Sequence, residues 1–278
     1  MDTKKLMDKN KSAYKLEGLP PIYYINLDKS EDRKKYMEDQ FDYWQIENYT
    51  RISGYDGTED DLSDILKGKY PDQMNSKDVG CCTSHLKAIK HWYENSDSSC
   101  AIIMEDDCDF DPVIYWPFTW KDFFSKVPFD YDVVQLAIIN PASISMRLHR
   151  RFSNDYSTAC YVITRHHASK LIHYYCKGGK YKLDYDVKPR CCSEHVIYQS
   201  GSCYAIPLFL YSKEELGSMI HDEQHINTFH VPCRNGLMEF WKTQAVNVEN
   251  WDEMFQFDPY YGTLPPGFDL NGPIQQPS

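Results

Sequence analysis

Cys100-Ala101-Ile102-Ile103-Met104-Glu105-Asp106-Asp107 is the stretch on which the reading of this chain turns. Five apolar residues that stop abruptly at three carboxylates read as a strand buried within a parallel sheet. In open parallel sheets ligands bind beyond the carboxyl ends of the strands, so the acidic triplet stands where a ligand arrives. Side chains two apart in an extended exit point the same way, which turns Glu105 and Asp107 toward one ligand. Carboxylates there can hold a hard cation through oxygen, and the cation can bridge to a diphosphate. The plain alternative is a solvated acidic turn. A calcium loop is rejected. Asp107, Asp109 and Asp111 have the spacing of its first three ligands, but Pro112 stands where glycine is required and Phe118 where glutamate is.

Outward from that stretch the pattern repeats. Ile22 to Leu27 is a second apolar run, and Ser30 is a good N-cap for a helix to about residue 47, with Met37, Phe41 and Trp44 on one face. Arg51-Ile52-Ser53 reads as a strand closed by Gly54. A long helix over about residues 79–94 carries Leu86, Ile89 and Trp92 or Tyr93 as its apolar stripe. Further strands are expected over residues 132–138 and 158–164, helices over 166–176 and 193–199, and a last apolar segment over 204–211. Strands alternating with helices argue for an α/β class with a mainly parallel, Rossmann-type sheet and helices on both faces. The expected division is a polar leader over 1–20, one α/β domain over 21–230 and an aromatic-rich C-terminal extension over 231–278, mobile from Gly267. That extension is read as a lid, a homodimer contact or an acceptor platform.

The chain has 278 residues, 42% apolar and 26% charged, and a formal net charge of -11. This fits a folded globule and disfavours a nucleic-acid partner, which more often meets a basic face. An acidic protein that handles an anionic nucleotide usually needs a cation between the two. Aromatic residues reach 15%, which nudges toward sugar-stacking rings. No apolar run approaches the roughly 20 residues of a membrane span. Residues 1–20 lack the apolar core of a signal peptide. The ten cysteines lie largely in apolar runs, so reduced thiols in a cytoplasmic, reducing compartment are expected.

Other residues are candidates for chemistry. Asn26, Leu27, Ser30 and Arg33 sit where the first strand enters the first helix, a turn that often approaches a nucleotide. Gly80-Cys81-Cys82-Thr83-Ser84-His85 reads as a helix entrance, with Gly80 allowing backbone N–H groups near a ligand. Cys81-Cys82-x-x-His85 and its echo Cys191-Cys192-x-x-His195 suggest zinc, yet adjacent cysteines are not the usual metal clip, and buried thiols are preferred. Glu194 and Asp186, with Asp184 and His195 behind them, are candidate bases for deprotonating a hydroxyl acceptor. Ordinary surface carboxylates are the alternative for each.

Taken in order, Ile25-Asn26-Leu27 with Ser30 and Arg33, Gly80-Cys81 with Ser84-His85, and Glu105-Asp106-Asp107 resemble glycosyltransferase family 25, which includes lipopolysaccharide and procollagen galactosyltransferases. The likeness covers about residues 20–220. It implies a GT-A fold, inverting transfer from a UDP-sugar such as UDP-galactose or UDP-glucose, and Mn²⁺ or Mg²⁺. It also implies Asp107 and Glu105 as metal ligands, with a late histidine, His221 or next His225, joining them. Asn26, Leu27, Ser30, Arg33, Gly54, Ser84, His85, Glu105 and Asp106 would lie near the donor. A glycan or the hydroxylysine of a collagen-like protein would be the acceptor, the latter in a viral relative acting in host cytoplasm. The alternatives are a non-catalytic carbohydrate-binding or scaffold protein on the same fold, and a nucleotidyltransferase. The latter usually carries a Gly- and basic-rich N-terminal loop, which is absent here.

Overall fold

The computed structural model describes residues 11–69, 74–139, 144–152, 154–183, 192–211, 216–218 and 220–255. Seven strands form one sheet in the order β2-β1-β3-β6-β4-β9-β5. They are β1 (Ile22–Asn26), β2 (Tyr49–Ser53), β3 (Cys100–Glu105), β4 (Val133–Gln135), β5 (His149–Arg150), β6 (Cys160–Thr164) and β9 (Cys203–Ala205). A separate hairpin joins β7 (Cys176–Lys177) to β8 (Lys180–Tyr181). β2, β1, β3, β4 and β9 run one way, while β6 and β5 oppose them. The α/β class expected from the sequence is present, and the sheet is mainly parallel.

Alternation along each central strand sends side chains to two cores. Ile22, Tyr24, Ile102 and Met104 face one side, where helix α1 (Glu31–Tyr43) adds Met37 and Phe41, with Trp44 at its end. Tyr23, Ile25, Ala101 and Ile103 face the other. There α2 (Ser76–Asn95) adds Leu86, Ile89 and Trp92, and α4 (Arg165–Tyr175) and α5 (Ser193–Tyr198) complete the cover. A short helix, α3 (Trp120–Phe124), packs Trp120 and Phe123 into the first core.

α1 stops at Tyr43, short of the expected residue 47. Gln45 adopts φ +56, a left-handed conformation that cannot continue the helix. α2 starts three residues earlier than expected, because Asn75 and Asp78 form a capping box. Gly80 is therefore inside the helix, not at its entrance. A Cβ there would lie 2.8 Å from both the Gly57 amide nitrogen and the Tyr55 carbonyl oxygen. Glycine serves this helix by letting it touch the β2 exit loop, and it offers no open amides to a ligand.

The expected division at residues 20 and 230 also meets structure. Leu16 is buried in the first core, and Lys15 donates to the carbonyls of Val113, Ile114 and Trp116 at 3.2, 3.0 and 2.7 Å. Helical chain runs on from α6 (Glu223–His225) through a wide turn at Ile226–His230 to α7 (Val231–Glu239) and a second wide turn at Phe240–Gln244. Cys233, Leu237, Trp241 and Ala245, spaced by four, all enter the first core. Met254 and Phe255 in α8 (Asp252–Phe255) join them. The aromatic residues in the described part of the expected extension are thus largely spent inside the chain's own core. Residues 256–278, including the segment expected to be mobile, lie outside the described residues.

Trp241 is fully buried among Trp116, Phe118 and Phe240. Trp241→Ala should lower unfolding free energy by about 3–5 kcal/mol in a urea titration. Phe129→Ala, at a fully exposed ring, should stay within about 0.5 kcal/mol of wild type. Equal small effects would show that the C-terminal helices are not part of the core.

Candidate active site at the carboxyl edge of the sheet

The acidic triplet leaves β3 beside the start of β6. Because β6 is antiparallel to β3, its first residues reach the last residues of β3, with Met104 opposite Cys160. The Glu105 amide donates to Ala159 O at 2.8 Å, and Thr158 Oγ1 donates to Glu105 Oε1 at 3.0 Å. From the neighbouring helix α2, His85 Nε2 meets the same oxygen at 3.3 Å while its Nδ1 pairs with the Tyr161 hydroxyl at 3.1 Å. Burial alone would raise the Glu105 carboxyl, but the hydrogen bond and charge from His85, with Thr158 and Arg33, outweigh it and hold it below its ordinary value.

Asp106 points away from this pair. Its Oδ1 accepts from Arg33 Nε at 2.7 Å and lies 2.6 Å from the second guanidinium nitrogen, and its Oδ2 accepts from Asn26 Nδ2 at 2.7 Å. Asn26 is itself fully engaged, donating also to Ser30 O and accepting from Arg51 Nε. Arg33 reaches Asp107 Oδ2 at 3.2 Å as well. The guanidinium remains charged, because the two aspartates outweigh its burial. Asp107 has one oxygen against Arg33. Its other, Oδ1, is buried without a hydrogen-bond partner among the described residues. Burial, joined by the Glu105 and Asp106 charges and opposed by Arg33, pushes Asp107 up to about 6.

Glu105 and Asp107 line a cavity of about 1300 Å³, and Asp106 does not. The rest of its wall comes from elsewhere in the chain. Asp78 and Cys81 come from the first turns of α2, and Ser193, Glu194 and His195 from α5. His221, His225 and His230 come from the C-terminal helical run, and Arg150, Arg151 and Tyr156 from around β5. Glu194 is held by two donors: the Ser157 amide at 2.7 Å and the Cys192 thiol at 2.8 Å. Burial, then the Glu194 charge, pushes that thiol up to about 12, so it stays a protonated donor. Ser157 holds φ +107, a costly conformation for serine, fixed by the Tyr198 hydroxyl donating to its carbonyl at 2.9 Å.

Several expected donor-side residues do not line this cavity. Ser84 donates to Gly80 O and accepts from the Tyr55 amide, so it ties α2 to the β2 exit loop. Gly54 packs against Ser84, Ile25 and Leu27, where an added Cβ would lie 3.2–3.3 Å from each. Asn26, Arg33 and Asp106 form a buried connection. Leu27 and Ser30 make the tight turn between β1 and α1, with Ser30 N donating to Leu27 O at 2.9 Å. Asp184, Asp186 and Cys191 lie outside the described residues.

Among the described residues, ligand-bearing side chains whose donor atoms all lie within 4.8 Å of one another form two groups. They are His221 with His225 and His230, and Cys81 with His85 and Glu105. The expected set of Glu105, Asp107 and His221 is not one of them. His230 escaped the sequence reading because it stands five residues after His225, a spacing that a regular helix does not bring together. The nine cysteines among the described residues are free thiols. No helix among those residues is long and apolar enough to cross a membrane.

A buried acidic strand exit and a further carboxylate, Glu194, line one cavity of this α/β protein. Residues 19–187 match the family described as glycosyltransferase family 25 (LPS biosynthesis protein). That is more than half of the chain, and the protein belongs to this family. No curated protein sequence matches. Among solved structures, the chain is similar to the crystal structure of HddC from Yersinia pseudotuberculosis. That match has 13% identity and a TM-score of 0.34, over 75% of this chain and 78% of the other. The same protein complexed with GMP-PN matches with 14% identity and a TM-score of 0.35, over 72% and 95%. Scores this low carry no functional argument.

Arg33 is the cation that lets Asp106 and Asp107 share one buried exit. Arg33→Ala should therefore cost about 3–5 kcal/mol in chemical denaturation, and Arg33→Lys should recover only part of it, since a point charge cannot copy the fork. A loss below about 1 kcal/mol would contradict that role.

Proposed function

We propose that this chain is a metal-assisted, inverting glycosyltransferase that moves a hexose, galactose or glucose, from a UDP-sugar to a hydroxyl acceptor. The acceptor is a glycan or a hydroxylysine of a collagen-like protein. One observation carries the metal part of the reading: Asp107, which lines the cavity with Glu105, has its Oδ1 buried with no hydrogen-bond partner among the described residues. Oxygen ligands of this kind suit Mn²⁺ or Mg²⁺. Asp107 and Glu105 would hold such an ion, which would supply positive charge against a departing diphosphate. It also offsets the repulsion between an anionic donor and a chain of net charge -11.

The chain's own residues have distinct tasks in this reading. His85 and Thr158 fix the Glu105 carboxylate, and Arg33 fixes Asp107 from the side away from the cavity. Glu194 is the base. Its carboxylate takes the proton from the acceptor hydroxyl. The freed oxygen attacks the anomeric carbon, and the bond from that carbon to the diphosphate oxygen breaks with its electron pair leaving on UDP. The Ser157 amide and Cys192 thiol orient Glu194 for this step. Asp186 is the second candidate for the same role. The free thiols favour a reducing compartment such as cytoplasm.

Asp107→Asn should reduce Mn²⁺-dependent UDP-sugar turnover by at least about a hundredfold, with its thermal midpoint close to wild type. Turnover at the wild-type rate would end the assignment. Thermal-shift titrations should show UDP-galactose or UDP-glucose stabilising the wild-type chain more with Mn²⁺ than without.

Glu194→Gln keeps the acceptor for Ser157 and loses the base. Its kcat should fall by about 10²–10⁴, with KM for the donor little changed. A rise in KM alone would make Glu194 a binding residue instead.

A further inference from the structure

Arg151 is a cation in the cavity wall that the steps above leave unused. Arg33, Arg51 and Arg234 are each spent on aspartates. Arg151 meets only neutral acceptors. Its Nε donates to Gln135 Oε1 and its Nη2 to Asp155 O, each at 2.7 Å. The Asp155 carboxylate itself is turned to His149 and the Phe152 amide. Gln135 cannot flip its amide, because its Nε2 already donates to the carbonyls of Ala137 and Tyr156, both at 2.9 Å. The guanidinium carbon lies over the Tyr198 ring, 4.2 Å from its centroid. Two hydrogen bonds along one edge and a ring beneath hold the planar fork in place. The other edge, formed by Nη1 and the second hydrogen of Nη2, has no partner among the described residues. A rigid, half-buried cation left without a carboxylate, in a chain of net charge -11, has the form of an anion receptor.

Neutral anchoring alone does not make a site. Arg165 is held in the same way by Ser96 O and Tyr93 O over the Tyr93 ring, and it lies outside the cavity. For Arg151 the location decides. Tyr198, beneath it, donates to Ser157 O, and the Ser157 amide donates to Glu194. Arg151 and the proposed base therefore share one scaffold. Asp107 and Glu105 belong to the β3 exit, whereas Gln135 stands on β4, two strands away in the order β3-β6-β4, or about 10 Å. That offset puts the free edge on the acceptor side of the cavity, away from the carboxylates assigned to the donor diphosphate. We propose that Arg151 selects an acceptor that carries an anionic group, carboxylate or phosphate, close to the hydroxyl that receives the sugar. The inference rests on the glycosyl-transfer reading with Glu194 as base, and it narrows the acceptor to an acidic one.

Binding is read by calorimetric titration of the full chain holding UDP and Mn²⁺, so no turnover is needed. The probes are glucose, glucuronate and glucose 6-phosphate, one ring with no charge, a carboxylate or a phosphate. One of the two anions should bind at least about tenfold tighter than glucose, and the tighter one identifies the group. Arg151→Gln should abolish that preference, Arg151→Lys should restore part of it, and Arg165→Gln should keep it. UDP affinity should be the same in all three variants, and far-UV circular dichroism checks their fold. Equal affinities, no binding of any probe, or a preference that survives in Arg151→Gln would overturn the proposal. So would weaker UDP binding in Arg151→Gln, which would put the arginine on the donor. Failure of the wild-type chain to bind UDP would sink the glycosyl-transfer reading and the acceptor role with it, whereas equal probe affinities with UDP bound would sink the acceptor role alone.

Discussion

The ion pair between Arg33 and Asp106 is the constraint on which the rest of the site depends. Three successive carboxylates at a largely buried strand exit repel one another, and burial strengthens the repulsion. One guanidinium, anchored in the first turn of α1, takes one oxygen of each aspartate: two nitrogens meet Asp106 Oδ1 and one of them also reaches Asp107 Oδ2. The middle carboxylate is consumed by structure, so the outer two are left for the cavity. Asn26 reinforces the division by donating to Asp106 Oδ2 while Arg51 holds the asparagine's own oxygen. The turn after β1 and the turn after β3 are thus locked together by a short polar chain, and the two loops present one rigid rim.

That rim would be incomplete in an all-parallel sheet. A parallel neighbour of β3 would bring its own carboxyl end, and so another exit loop, to this edge. The antiparallel β6 brings its entry instead, and with it Thr158 for Glu105 and the Ser157 amide for Glu194. One short segment therefore touches both Glu105 and Glu194, the two carboxylates that the proposed chemistry requires. The positive φ of Ser157 follows from this: the chain must bend sharply to serve Glu194 and then enter the sheet, and the Tyr198 hydroxyl holds the bend.

Much of this was readable in the sequence, for reasons that can be named. The β3 run and its abrupt acidic end marked both the strand and the edge at which the cavity opens, and alternation along the exit matches the lining of that cavity by Glu105 and Asp107 without Asp106. The stripe of Met37, Phe41 and Trp44 named the core face of α1. What could not be read was which partner each polar residue would meet. Asp106 looks like a ligand until Arg33, 73 residues earlier, is seen on it. Ser84 and Gly80 look like a ligand-facing helix entrance until the capping box moves the helix start back to Ser76. The four-residue spacing of Cys233, Leu237, Trp241 and Ala245 was present in the sequence, but it exceeds the 3.6-residue period. Two wide turns in the same run accompany the longer spacing, and a search for α-helical periodicity passes over it.

The C-terminal helices are tied to the acidic edge by more than packing. Arg234 in α7 donates to Asp109 Oδ2 at 2.6 Å and to Tyr211 O at 3.2 Å, and Asp109 follows the triplet by two residues. Arg33 extends its remaining nitrogen to the carbonyls of Gly217 at 3.1 Å and Leu216 at 3.4 Å, just before the histidine cluster. Two arginines therefore bracket the His221–His230 segment and fasten it to the β3 exit from both ends. Any shift of that exit must pull on both pairs at once. The cavity's histidine wall and its carboxylate wall accordingly form one mechanical unit, although residues from every third of the chain contribute to it.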